Sequence, residues 1–441
     1  MNNLPLKIVL AVVQFLSLLA LFAIGVSREK KRRSGLPLIL TPMIVIASAV
    51  GVSSIAALSM DDYLYAEYSK LWFFQILGFM LGLLFSNSAL DRRSLDQPSP
   101  SRQLVLSKTL MSQISLCIFV AGVLSAIAFF AWKGVPLLSG NVEQGRVDLA
   151  SAGTGSLRLM AYLTIPPALL SFALTPRRAK VYIALSLIVV LFLADRSPLL
   201  YLFVPLVFVS IARKIKIKRP SSLKPIILGA LFMLIIVGIG TYRIFTQMEF
   251  LLHPEYSAAL QDKNVAAVAL VSFEHYANVV ADNAVLTKTL VDNGTIDFKY
   301  GASYLALFAP VLPWQQLTLD QEIRLGSGKV FIGGGIPPTL MGEGYANFGY
   351  IGTILECGFV VFLLEYWYRI VMSTYLGSDR TLAAVANAIY GYMVCWVCMS
   401  QVGGLAGAST FPLAGAITLI IIWGLTARRS SGVGQPLLTQ H

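Results

Sequence analysis

Apolar residues in this chain come in long unbroken runs, not in the period-2 or period-3.6 stripes of a water-soluble fold. Eleven runs approach the ~20 residues that carry a helix across a bilayer, at 8–26, 37–58, 71–86, 110–132, 159–175, 181–194, 199–212, 225–240, 347–368, 381–399 and 413–426. Continuous Leu, Ile, Val and Phe also set aside a membrane barrel, whose strands alternate. The pattern predicts an all-α polytopic membrane protein. It divides into membrane helices 1–8 over residues 1–240, a large extracytoplasmic helical insert over 241–346, helices 9–11 over 347–428 and a cytoplasmic tail over 429–441. The insert is expected to close over a site in the outer half of the membrane.

Charge sharpens this picture. The chain carries a net +12 but is only 13% charged, with mean hydropathy +0.72. Most of the 34 Lys and Arg fall in alternate short loops, among them SREKKRRS at 27–34 and ARKIKIKRP at 212–220. That side is therefore the expected cytoplasm, which places the N-terminus outside and the C-terminus inside. Orientation accounts for the basic balance, so no nucleic-acid partner is expected. The first run is too long for a signal peptide and has no small-residue cleavage site before its basic flank, which predicts an anchor. The opposite face is expected to carry the loops 60–70 and 133–158, the turn at Arg196, the insert, and QVGGLAGASTFP at 401–412.

Runs 181–194 and 199–212 would each span only ~21 Å as helices, short of the ~30 Å hydrocarbon core. Arg196 in their shared turn is then a candidate for lining a cavity, the alternative being a simple pair with Asp195. Within the insert, residues 263–294 have helical periodicity, with Ala267, Leu270, Phe273, Ala277 and Val280 on one stripe and Glu274 and Asn278 on a more polar face. YGASYLALFAPVLPWQQ reads as an interfacial or re-entrant segment, tolerated where its backbone is buried or lines a cavity. QEIRLGSGKVFIGGGIPPTLMGEGY is too rich in Gly and Pro for regular structure and is expected to be a shaped loop.

No phosphate-binding glycine loop, nucleophile elbow or zinc-protease motif is present. Cys117, Cys357, Cys395 and Cys398 lie in apolar runs and read as small buried hydrophobes, and three scattered histidines make no metal cluster, so neither metal nor cofactor is expected. Arg146, Arg158, Arg196 and Arg243 lie at or near outer helix ends; a guanidinium is a planar fork of donors suited to a diphosphate. Transfer to a hydroxyl wants a general base. Glu343 in MGEGYAN is the first candidate, with Glu274 and His275 competing. Tyr276, Trp314 and Tyr345 could stack on sugar faces or anchor at the interface.

Three patches carry a resemblance: GVPLLSGNVEQGRVDLASAGTGSLR after the fourth run, the D-R-S turn, and IPPTLMGEGYANFGYIG before the ninth. With one large late insert, they resemble the Wzy-type oligosaccharide repeat-unit polymerases, or O-antigen polymerases. The resemblance implies an inverting, lipid-dependent glycosyltransferase of GT-C-like architecture in the bacterial inner membrane, acting at the periplasmic face without nucleotide sugars. It would move a growing glycan from undecaprenyl diphosphate to the terminal sugar hydroxyl of another lipid-linked repeat unit. It also implies work beside a chain-length regulator and a flippase. Matching patch to patch, the functional arginines of the family fall on Arg146, Arg158 and Arg196. An O-antigen ligase is the rival within enzymes, and a lipid-linked oligosaccharide flippase is the rival outside them.

Overall fold

The computed structural model describes residues 4–32, 41–91, 104–138, 155–195, 197–215, 238, 241, 264–308, 317–329, 335–376 and 380–429. Twelve α-helices are described: α1 (Leu4–Arg32), α2 (Pro42–Ala56), α3 (Asp62–Asp91), α4 (Lys108–Lys133), α5 (Gly155–Tyr162), α6 (Ile165–Leu174), α7 (Pro176–Phe192), α8 (Ser197–Ile215), α9 (Val265–Asp292), α10 (Leu319–Gly326), α11 (Leu340–Leu376) and α12 (Arg380–Thr426). A three-residue antiparallel ladder joins β1 (Leu104–Leu106) to β2 (Ala427–Arg429). The chain is an all-α polytopic membrane protein. Among the described residues, seven helical segments are long and apolar enough to cross a bilayer, and Ser197–Ser210 and Ala414–Thr426 are shorter apolar helices. Run 225–240 lies outside the described residues, apart from isolated Gly238.

Three expectations are corrected. Residues 60–70 are not mainly loop: α3 starts at Asp62, with Asp62 in its first turn, where carboxylates suit the helix dipole. Residues 401–412 are not a loop between two spans, because α12 stays helical through them except at Gly404. The Gly- and Pro-rich end of the insert holds two short helices. One is α10, whose capping box has Thr318 and Gln321 exchanging side-chain and backbone hydrogen bonds. The other is residues 340–347, which open α11 before non-helical Phe348 and Gly349 break it.

The core is built around α11, which packs against both α3 and α12, and α12 packs in turn against α8. Gly82 of α3 sits so close to α11 that a Cβ there would lie 2.2 Å from the Gly358 carbonyl oxygen, and Gly78, one turn earlier, is similarly tight against Ile354. Small residues let helix backbones approach where lipid gives no hydrophobic drive to pack. Polar pairs tie the crossings together: Gln75 Nε2 donates to Gln401 Oε1 at 2.8 Å, Trp72 Nε1 to Ser54 Oγ at 2.8 Å, and Tyr65 OH to Gln14 Oε1 at 2.9 Å.

Candidate functional site

Two broken helices make the site. In α11 the short arm, residues 340–347, starts after Pro337, Pro338 and Thr339, the last at φ 67°, and folds back on the long arm, residues 350–376. Thr353 Oγ1 donates to the Met341 carbonyl at 3.0 Å across the fold. The open carbonyls at the end of the short arm are capped from the insert: Lys299 N–H donates to Ala346 O at 2.8 Å, Tyr300 N–H to Asn347 O at 3.2 Å and Gly301 N–H to Asn347 Oδ1 at 2.9 Å. In α12 the break is Gly404, at φ 74° and ψ 174°, a conformation that disfavours any residue with a Cβ.

Glu343 bridges the two breaks. It is 1% exposed; its Oε1 accepts from Ser303 Oγ at 2.8 Å and its Oε2 from the Ala406 N–H at 3.0 Å, just past Gly404. Amides of a restarting helix lack intrahelical partners, so a carboxylate is a natural cap. A Cβ on Gly404 would sit 2.4 Å from Glu343 Oε2. Asn347, one turn along the short arm, donates through Nδ2 to Ser303 Oγ at 2.8 Å and to the Glu343 carbonyl at 3.0 Å.

On the long arm, Glu356 is 4% exposed and accepts from Tyr304 OH at 3.0 Å. It lies within hydrogen-bonding reach of Glu343. Burial, and then the carboxylates of Glu356 and Glu343, push the Tyr304 phenol well above its ordinary pKa, which keeps it a donor. A cavity of about 140 Å³ adjoins this cluster, lined by Ser303, Ala302, Lys299, Leu317, Thr318 and Glu322, with Lys299 and Glu322 in an ion pair. Ser303 thus connects the cavity to the buried carboxylate.

Two other charged clusters differ. Arg158 reaches Asp195 Oδ2 through Nε at 3.0 Å and also through Nη2, and Tyr162 OH donates to the same oxygen. Asp195 is only 3% exposed. On α9, Lys288 pairs with Glu67 of α3 at 3.0 Å and with Asp292, and Tyr345 OH donates to Asp292 Oδ1 at 2.6 Å. Burial alone would lower the Lys288 pKa, but the hydrogen bonds to Asp292 and Glu67 outweigh it and raise the value.

Of the residues singled out in the sequence, Glu343 lies at the centre. Arg158 belongs to the Asp195 cluster instead. Tyr345 is 7% exposed, with Lys288 Nζ 5.4 Å from its ring centre and Tyr350 edge-on at 5.0 Å, so in this conformation its ring packs inside the protein. Glu274, His275 and Tyr276 lie on α9, and their side chains are outside the described set. Arg146, Arg196, Arg243 and Trp314 lie outside the described residues. Among the described residues no group of three or more His, Cys, Asp or Glu could hold a metal ion. Sequence reading missed Ser303, Tyr304 and Asn347 as partners of the buried acids, and Asp195 as the partner of Arg158. Only Asn347 carried a local signal, four residues after Glu343 and so on the same helical face.

These features define a multi-pass membrane protein with a buried carboxylate pair at the meeting of two interrupted helices. A family model described as "Putative O-antigen polymerase" matches residues 4–399, nearly the whole chain, and the chain belongs to that family. No curated protein and no solved structure matches it.

Proposed function

We propose that the protein polymerises lipid-linked oligosaccharide repeat units, transferring a growing glycan from undecaprenyl diphosphate to the terminal sugar hydroxyl of a second unit, with inversion. The observation that supports this best is Glu343: a buried carboxylate fixed by Ser303 and the Ala406 amide, beside a cavity, in a chain of the O-antigen polymerase family. In this reading the acceptor hydroxyl enters by way of Ser303 and Glu343 takes its proton as the new glycosidic bond forms. Arg146, Arg196 and Arg243 bind the diphosphate as it leaves with the bonding electrons, and favouring that growing charge lowers the barrier. Arg158 is already balanced by Asp195 and contributes less to the diphosphate. His275 and Glu274 are the alternative bases, and Tyr276 and Trp314 the sugar-stacking candidates.

In this reading the reaction runs at the periplasmic face of the bacterial inner membrane, which the basic bias of the opposite loops supports. It would run beside a flippase that supplies the lipid-linked unit and a regulator that sets chain length. One observation favours a second reading, as a flippase: interrupted helices with polar side chains at the break also build transporter sites. The test is incubation of purified protein with an undecaprenyl-diphosphate-linked repeat unit and no nucleotide sugar. The polymerase reading expects a ladder of lengthening glycans, abolished by Arg196→Ala and reduced ~10²–10⁴-fold by Glu343→Gln. Wild-type protein that moves the lipid across vesicles but yields no ladder would make it a transporter.

A further inference from the structure

We infer that Glu356 is a positioning residue that holds a proton opposite Glu343 and so keeps Glu343 as the proton acceptor of the site. The polymerase reading enters only in naming the hydroxyl whose proton Glu343 takes.

The donors around the two carboxyls are unequally shared. Both oxygens of Glu343 accept hydrogen bonds, from the Ser303 hydroxyl and the Ala406 amide, at the start of a restarting helix whose dipole favours negative charge. Glu356 accepts from Tyr304 through Oε2 and also meets the Leu405 amide, but its buried Oε1 has no hydrogen-bond donor among the described residues. A buried acceptor left bare is unfavourable, and more so if it is charged. Two buried carboxylates in contact cannot both stay ionised cheaply. A proton on Glu356 Oε1, donated to Glu343, meets both demands.

No neighbouring cation does so instead. Among the described residues neither glutamate is in an ion pair with Lys or Arg. The titratable groups that act on them are Tyr304 of the insert, Asp320 of α10 and Cys357 of the long arm, besides each other, and none of these is a cation. From α12 they meet the Leu405 and Ala406 amides.

In the transfer, the acceptor O–H bond breaks and its proton goes to Glu343 as the acceptor oxygen bonds to the anomeric carbon. The bond from that carbon to the diphosphate breaks, and the diphosphate leaves with the electron pair. Glu343 then returns the proton through the Ser303 hydroxyl to the adjoining cavity and water. The proton on Glu356 does not leave; it sets the charge that Glu343 starts from.

The test is infrared difference spectroscopy of the full-length protein in detergent, without substrate. Wild type minus Glu356→Gln should show one protonated carboxylic C=O band. Tyr304→Phe should shift that band, and so should Glu343→Gln, which replaces the carboxylate that accepts its proton with an amide. A wild-type difference showing only carboxylate stretches overturns the inference, as does a band that survives unchanged in Glu343→Gln. In the glycan-lengthening assay Glu356→Gln, which keeps a donor facing Glu343, should retain at least tenfold more activity than Glu356→Ala at equal folded fraction; equal losses would contradict the role. A wild type that makes no glycan would sink the polymerase reading, while the spectrum still decides where the proton is.

Discussion

Glu365 and Glu356 stand on the same arm of α11, both nearly inaccessible, yet they are treated in opposite ways. Glu365 receives Arg28 of α1 at 3.1 Å. Glu356 faces a second carboxylate, with no cation on either among the described residues. Arg158 and Asp195 repeat the first pattern, reinforced by the Tyr162 hydroxyl. A buried ion pair is mutually neutralising: it fixes which helices meet, and breaking it costs more than making it gains. A buried carboxylate pair has no such neutralising partner, and here it sits where two helices bend. On the proposed function, the difference separates charges that hold the bundle together from charges used for chemistry.

That contrast can be broken at its strongest point first. Asp195→Ala leaves the Arg158 guanidinium without its carboxylate in a half-closed site, and the expected loss is about 3–5 kcal/mol of stability. Thermal unfolding in detergent should show it, and adding Arg158→Met should recover a large part. Gly404→Ala comes next. It forces a Cβ into a positive-φ position and against Glu343, with an expected loss of about 1–3 kcal/mol. Because that strain falls on the site, lengthening activity should drop further than the folded fraction does. Glu365→Gln should be mildest, about 1–2 kcal/mol, since an amide can still accept from Arg28. Its glycan products should keep wild-type lengths, and a shortened ladder at equal folded fraction would join Glu365 to the chemistry.

The helices were legible in the sequence wherever apolar runs were long, because hydropathy alone dictates a spanning helix. The breaks were not. QVGGLAGASTFP reads as a loop by composition, yet one residue, Gly404, makes the whole departure from helix and the flanking turns stay wound. Likewise MGEGYAN reads as the end of a loop, while its carbonyls are capped by the amides of residues 299–301, which no local pattern announces. Glu343 was legible as an acid among glycines at the mouth of a span. Its partners were harder to see. Ser303 and Tyr304 come from a stretch that reads as an interfacial segment, and the Arg158 that meets Asp195 lies 37 residues before it in the chain. Such pairings depend on tertiary packing, so spacing along the chain cannot reveal them.

The most direct measurement compares Glu343→Gln with Glu365→Gln: the initial rate of glycan lengthening from lipid-linked repeat units, each divided by its folded fraction. The account predicts that the rate collapses for Glu343→Gln alone, by ~10²–10⁴-fold, and stays near wild type for Glu365→Gln. Equal rates for the two variants would contradict it, and would return the carboxylates at the helix breaks to the same structural role as the ion pairs.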